Sequence, residues 1–180
     1  MAFRAGDGWD GSTAGMLGRW ALIILFMFLL LILSIFPFKI GHFGEIRPSF
    51  ILMAIYYWAI MRPSTFPPLA TFCLGIMLDL LAGDTWPLGV NAITLLAVQW
   101  IMRRQRKFML GQGFIVLWMG LALVTLTAGL FQWLVYSAFN QSFEIQTLQP
   151  VLISAVMTSV IFPLIVLPLS AFNKKLAERQ

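Results

Sequence analysis

The sequence predicts an all-α integral membrane protein, a bundle of six transmembrane helices with both chain ends on the same side. Three observations carry this. Hydrophobic residues make up 60% of the 180 and charged residues only 11%, whereas a soluble domain keeps roughly a quarter of its residues charged. The apolar residues gather into runs separated by short polar stretches, and a run of about 20 covers a hydrocarbon core. The basic residues sit between those runs in an asymmetric pattern.

Residues 1–18 are glycine-rich and aperiodic, which reads as a flexible cytoplasmic tail. A single transmembrane domain then covers 19–173. Its first span, 20–36, is almost pure Leu, Ile, Phe and Met. Arg19 precedes it and no small-x-small cleavage pattern follows, as in a retained signal anchor. The second span, 48–61, lies between Arg47 and Arg62, with Pro48 in a first turn where its missing N–H costs nothing. It is short for a full crossing; snorkelling arginines or local bilayer thinning would supply the rest. The third span, 66–82, and the fourth, 86–102, are joined by a tight Gly83-Asp84-Thr85 turn, with Pro87 in the first turn of the fourth. The fifth covers 114–139. The sixth, 151–172, follows Pro150 and carries Pro163 and Pro168, which should bend it. Residues 174–180 form a basic tail.

Direction follows from the basic residues. With the N-terminus in the cytoplasm and six crossings, Arg4, Arg19, Arg62, Arg103, Arg104, Arg106, Lys107, Lys174, Lys175 and Arg179 fall inside. Only Lys39 and Arg47 of the 12 fall outside. The opposite orientation reverses the bias, so N-in, C-in is preferred. A second segment that failed to cross would instead place the N-terminus outside.

A net charge of +5 and a pI near 9.9 would suggest nucleic acid in a soluble chain. Here basic flanks of apolar spans explain the charge, so the expected partner is the lipid bilayer and not nucleic acid. The chain has one cysteine, Cys73, which reads as a small packing residue, and one histidine, His42. These exclude an intrachain disulfide and any Cys/His metal cluster. There is no H-E-x-x-H, G-x-S-x-G or P-loop, so no catalytic, cofactor or metal residue is expected.

One polar stripe interrupts the apolar spans. Thr71, Gly75, Asp79 and Gly83 recur at i+4 and share one face of the third span. Small residues on such a face let two helices approach closely. A carboxylate costs roughly 2.5–3.5 kcal/mol at the centre of a transmembrane helix, so Asp79 must face protein or water or be protonated. Asn91 enters the antiparallel fourth span to a similar depth, which predicts an Asp79–Asn91 hydrogen bond. Asp79 is then either a structural lock, through Asn91, backbone groups or Arg47, or an ion or proton site in a carrier. Thr125 with Gly129, Ser154 with Thr158, and Ala155 with Ser159 offer further small faces on the last two spans. The Arg103, Arg104, Arg106 and Lys107 cluster reads as a topology determinant with anionic-lipid contact, or as a dock for an acidic cytoplasmic partner.

Arg47-Pro48-Ser49-Phe50 opens a short span containing Tyr56-Tyr57-Trp58. Phe72-x-x-Gly75-x-x-x-Asp79-x-x-x-Gly83 follows, and then Leu88-Gly89-Val90-Asn91-Ala92. Together these resemble the bacterial rod shape-determining MreD family. Where that family often has a compact turn into Leu-Gly, this chain carries Asp84-Thr85-Trp86-Pro87. The resemblance implies a non-catalytic scaffold of the cell-elongation complex in the bacterial cytoplasmic (inner) membrane, supporting lateral peptidoglycan synthesis and rod shape. It implies MreC as direct partner on the membrane and periplasmic side. The MreB filament and the elongation glycosyltransferase and transpeptidase would be reached indirectly. Arg47, Pro48, Thr71, Gly75, Asp79, Gly83, Gly89 and Asn91 are then the structural or partner-binding residues. The family is also similar to the six-helix substrate-binding subunits of energy-coupling-factor transporters, which leaves a small-molecule-binding subunit or carrier as the alternative.

Overall fold

Apolar runs of this kind fold as helices because a helix satisfies its own backbone donors and acceptors, which lipid cannot do. The computed structural model describes residues 10–35, 38–39, 45–46, 48–61, 63, 67–82, 87–141 and 148–177. Side chains are described for 23–35, 48–61, 63, 67–81, 87–141 and 148–166. Six helices follow in order: α1 Asp10–Ile35, α2 Phe50–Met61, α3 Pro68–Ala82, α4 Val90–Leu110, α5 Phe114–Asn140 and α6 Leu148–Ala177. Between α1 and α2, the strands β1 (Phe38–Lys39) and β2 (Glu45–Ile46) pair antiparallel, with Phe38 opposite Ile46 and Lys39 opposite Glu45. Apart from this minimal ladder, the regular structure among the described residues is helical.

Two helical stretches, Phe114–Asn140 and Leu148–Val166, are long and apolar enough to cross a membrane, and only 22% of either apolar window is buried in the protein. A soluble core helix would bury most of its apolar surface. These helices instead turn Leu123, Leu134, Val156 and Leu164 outward, as Ile24, Leu25 and Leu29 do on α1. An outward apolar face on this scale belongs against lipid.

Helix α2 is the opposite case. It has 12 residues, or ~18 Å of helix against a hydrocarbon core of ~30 Å. Every side chain from Phe50 to Ile60 is buried, and a helix apolar on all sides belongs in the interior. Its neighbours close around it. Trp58 meets Phe26 of α1 edge-on, with ring centroids 6.0 Å apart, and Tyr56 meets Phe162 of α6 in the same way at 6.0 Å. The Tyr56 hydroxyl also donates to the Leu117 carbonyl of α5 at 2.8 Å. The short second segment is therefore a central post walled off by longer helices.

Several boundaries differ from those the sequence predicts. Residues 10–18, read as tail, are the first turns of α1; extending a helix already formed by the apolar run adds one bond per residue fixed. Helix α4 starts at Val90 and not at 86, because Gly89 has φ +100°, which no α-helix accommodates. Pro87 therefore lies ahead of the helix and not in its first turn. At its other end α4 runs through the basic cluster to Leu110, and α6 continues past the predicted tail boundary to Ala177. Cys73, read as a packing residue, is exposed on the outer face of α3.

Candidate functional site

The predicted stripe is the seam of the α3–α4 hairpin. Gly75 faces Ala92 so tightly that a Cβ on residue 75 would lie 2.3 Å from the Ala92 Cα and 2.7 Å from its backbone nitrogen. Only a residue without a side chain fits that contact. One turn along, Asp79 reaches the start of α4. Its Oδ2 accepts the Gly89 N–H at 2.8 Å, and its Oδ1 accepts the Asn91 N–H at 3.3 Å and the Asn91 Nδ2–H at 2.8 Å. The first N–H groups of any helix lack intrahelical acceptors. Gly89, the residue before α4, offers no side-chain cap of its own, and the carboxylate of α3 takes that place. A negative group there also complements the positive end of the helix dipole.

The predicted Asp79–Asn91 bond is present, but its geometry is different from a side-by-side pair deep in two helices. Asn91 is the second residue of α4, and Asp79 binds backbone as well as side chain. The left-handed Gly89 is what aims its own N–H and that of Asn91 at one carboxylate. The network then continues to a residue outside the sequence motifs. Gln132 of α5 donates from Nε2 to Asn91 Oδ1 at 2.8 Å, so α3, α4 and α5 are joined by one polar chain. Gln132 was detectable in principle as an amide inside an apolar span, which needs a partner there.

Thr71, the first residue of the stripe, is fully buried, and its Oγ1 has no hydrogen-bond partner among the described residues. It packs the seam without pairing across it. Pro48 is buried ahead of α2. Arg47 and Gly83 lie outside the described residues, so the Arg47 alternative for Asp79 has no geometry here.

A second set of polar contacts caps the central post. At the α2 N-terminus, Ser49 N–H donates to Thr158 Oγ1 of α6 and Ile51 N–H donates to Ser34 Oγ of α1, both at 3.2 Å. At the C-terminus, Arg106 Nε donates to the Ile60 carbonyl at 2.8 Å, and Arg103 Nη2 donates to the Pro63 carbonyl at 2.7 Å. A short helix enclosed by longer ones has no intrahelical partners to satisfy its terminal groups. Side chains of α1, α4 and α6 do so instead. The basic cluster is thus divided: Arg103 and Arg106, three residues apart, turn in toward α2, while Arg104 and Lys107 are exposed. In sequence the four form one cluster; the helix period divides them.

The small faces of the last two spans also meet. Thr125 Oγ1 and Ser159 Oγ lie 3.4 Å apart, and Trp118 Nε1 donates to the Ser159 carbonyl at 2.7 Å.

Chemically, the site is a set of satisfied helix ends. Asp79, the sole acidic residue among the described side chains, has Oδ1 engaged by two donors and Oδ2 by one. Among the described residues, no three His, Cys, Asp or Glu side chains come together.

The family model described as rod shape-determining protein MreD matches residues 14–173. The rod shape-determining protein MreD of Haemophilus influenzae is 28% identical over 86 residues, covering 48% of this chain and 51% of that relative. The chain therefore spans about half the length of the curated relative it matches. No solved structure matches the chain.

Proposed function

We propose a function from the premise that this chain belongs to the MreD family of rod shape-determining proteins: it is a non-catalytic membrane scaffold of the cell-elongation complex. In this reading all six helices cross the bacterial cytoplasmic membrane, N-in and C-in, with α2 crossing inside the protein. The direct partner is MreC, through which the MreB filament and the peptidoglycan-building glycosyltransferase and transpeptidase are engaged.

The observation that supports it is the use made of the intramembrane carboxylate. A carrier places its charged group where a substrate or ion can reach it, commonly near the midplane. Asp79 instead closes a helix hairpin at the start of α4, with three donors on its two oxygens. That is the chemistry of a fixed frame. The wide outward apolar faces of α1, α5 and α6 leave room for helix-to-helix association with a single-span partner.

Co-expression of the tagged chain with MreC, followed by purification in mild detergent, tests the reading. Retention of MreC through size exclusion is the expected result. A folded, monodisperse chain that leaves MreC behind overturns it. Site-directed thiol labelling at both chain ends in intact cells tests the topology separately; labelling of either end from outside contradicts N-in, C-in.

A further inference from the structure

We infer that the outward face of α4 around Trp100, Arg104 and Lys107 binds the phosphate of an anionic phospholipid whose acyl chain lies along the same helix. The inference rests on the membrane reading above and is independent of the partner.

Four cationic side chains occupy five consecutive positions, 103–107, near the end of α4. Arg103 and Arg106 turn inward, where they donate to the carbonyl oxygens of Pro63 and Ile60. Among the described side chains the sole carboxylate is Asp79, at the far end of the hairpin, on the order of 20 Å away along α4. Neither Arg104 nor Lys107 thus has an anionic counterpart among the described side chains.

Arg104 and Lys107 are the pair that face out. The Arg104 guanidinium lies over the Trp100 ring, with Cζ 4.2 Å from the centroid. A guanidinium held over a ring face spends no N–H donor on a protein oxygen, and its fork of donors can receive a phosphate bidentately. Lys107 sits three residues on, close enough to share the same anion.

What makes the ligand a lipid is the stripe below the cations. Ile93, Ala97, Trp100, Arg104 and Phe108 recur at helical spacing on one face, and all are exposed; Ile93 is 58% exposed and Trp100 58%. A soluble phosphate or an acidic peptide would use the cations alone. A phospholipid uses both parts, its phosphate at Arg104 and Lys107 and its chain along Trp100, Ala97 and Ile93. The tryptophan at the junction is where indole rings partition in a bilayer.

The test uses the full chain reconstituted in phosphatidylcholine bilayers doped with phosphatidylglycerol or phosphatidylcholine carrying brominated acyl chains. Trp100 quenching is taken as the difference between the chain and Trp100→Phe. The phosphatidylglycerol probe should be preferred roughly fivefold or more. In R104Q/K107Q that preference should fall to near unity with folded yield unchanged, because neither side chain holds another helix. Equal quenching by the two probes overturns the inference, as does a preference that persists in folded R104Q/K107Q. Competition by millimolar inorganic phosphate also overturns it, since the site would then bind free phosphate. Failure to retain MreC leaves these results untouched, and resistance of the chain to carbonate extraction reads the membrane assignment on its own.

Discussion

Adding one methyl group at Gly75 should cost more than the removal of most whole side chains on the outer faces. The new Cβ of Gly75→Ala would sit 2.3 Å from the Ala92 Cα, where ordinary carbon contacts need about 3.5 Å or more. The two backbones must part by roughly 1 Å, because neither atom can rotate away. Parting strains the Asn91 Nδ2–H to Asp79 Oδ1 bond, now 2.8 Å, toward about 4 Å, past hydrogen-bond reach. Overpacking costs about 1–3 kcal/mol, and a lost bond to a charged group about 1.5–3. The better helix propensity of alanine returns about 1. The net loss is about 1.5–5 kcal/mol, which corresponds to a Tm lower by about 3–20 °C for a chain of this size. Thermal unfolding of the detergent-purified protein, followed by loss of monodispersity, measures this. Gly113→Ala, at a glycine with nothing within 4 Å of an added Cβ, is the control and should leave Tm within about 1–2 °C of the parent. The clash is with backbone, so adding Ala92→Gly should restore little. A parental Tm for Gly75→Ala would refute the close-contact reasoning.

Asp79→Ala should lower folded yield more than Asp79→Asn, because Ala strips acceptors from three donors, at about 1–3 kcal/mol for each one left buried and unpaired, while Asn keeps one carbonyl oxygen; fluorescence size exclusion of tagged variants ranks them. Gly89→Ala forces a Cβ into φ +100° and should cost about 1–2 kcal/mol, seen as a lower Tm. Arg106→Ala removes the donor to the Ile60 carbonyl and should reduce yield several-fold, whereas Arg104→Ala, whose side chain faces out, should leave yield unchanged; equal yields would contradict the division of the basic cluster. Thr158→Val should lower Tm by a few degrees through the unpaired Ser49 N–H.

The membrane character, the six helical segments and the seam of the hairpin were legible because each rests on composition or on a period within one helix. Thr71, Gly75 and Asp79 are four apart, so one helix suffices to align them, and a carboxylate there demands a partner whatever the fold. The parts that were not legible all depend on which helices become neighbours. Ser34, Thr158, Arg103 and Arg106 cap α2 from three different helices, and no local pattern announces that a short apolar segment will be the centre of the bundle. The left-handed conformation of Gly89 was not legible because Pro87 offers a helix start two residues earlier. Cys73 was misplaced because an apolar helix with little amphipathicity does not reveal which of its sides faces lipid.

The most direct test of the account is whether the Asp79 carboxylate serves the partner surface only by holding the hairpin. For Asp79→Ala, folded yield and MreC retention should be measured in the same detergent extract. If the carboxylate is a structural cap, total retention falls in step with folded yield, and the chain that does fold binds MreC at the parental ratio. Full folded yield with retention lost would make Asp79 a contact or a chemical site, and its role as the structural cap of the hairpin would be wrong.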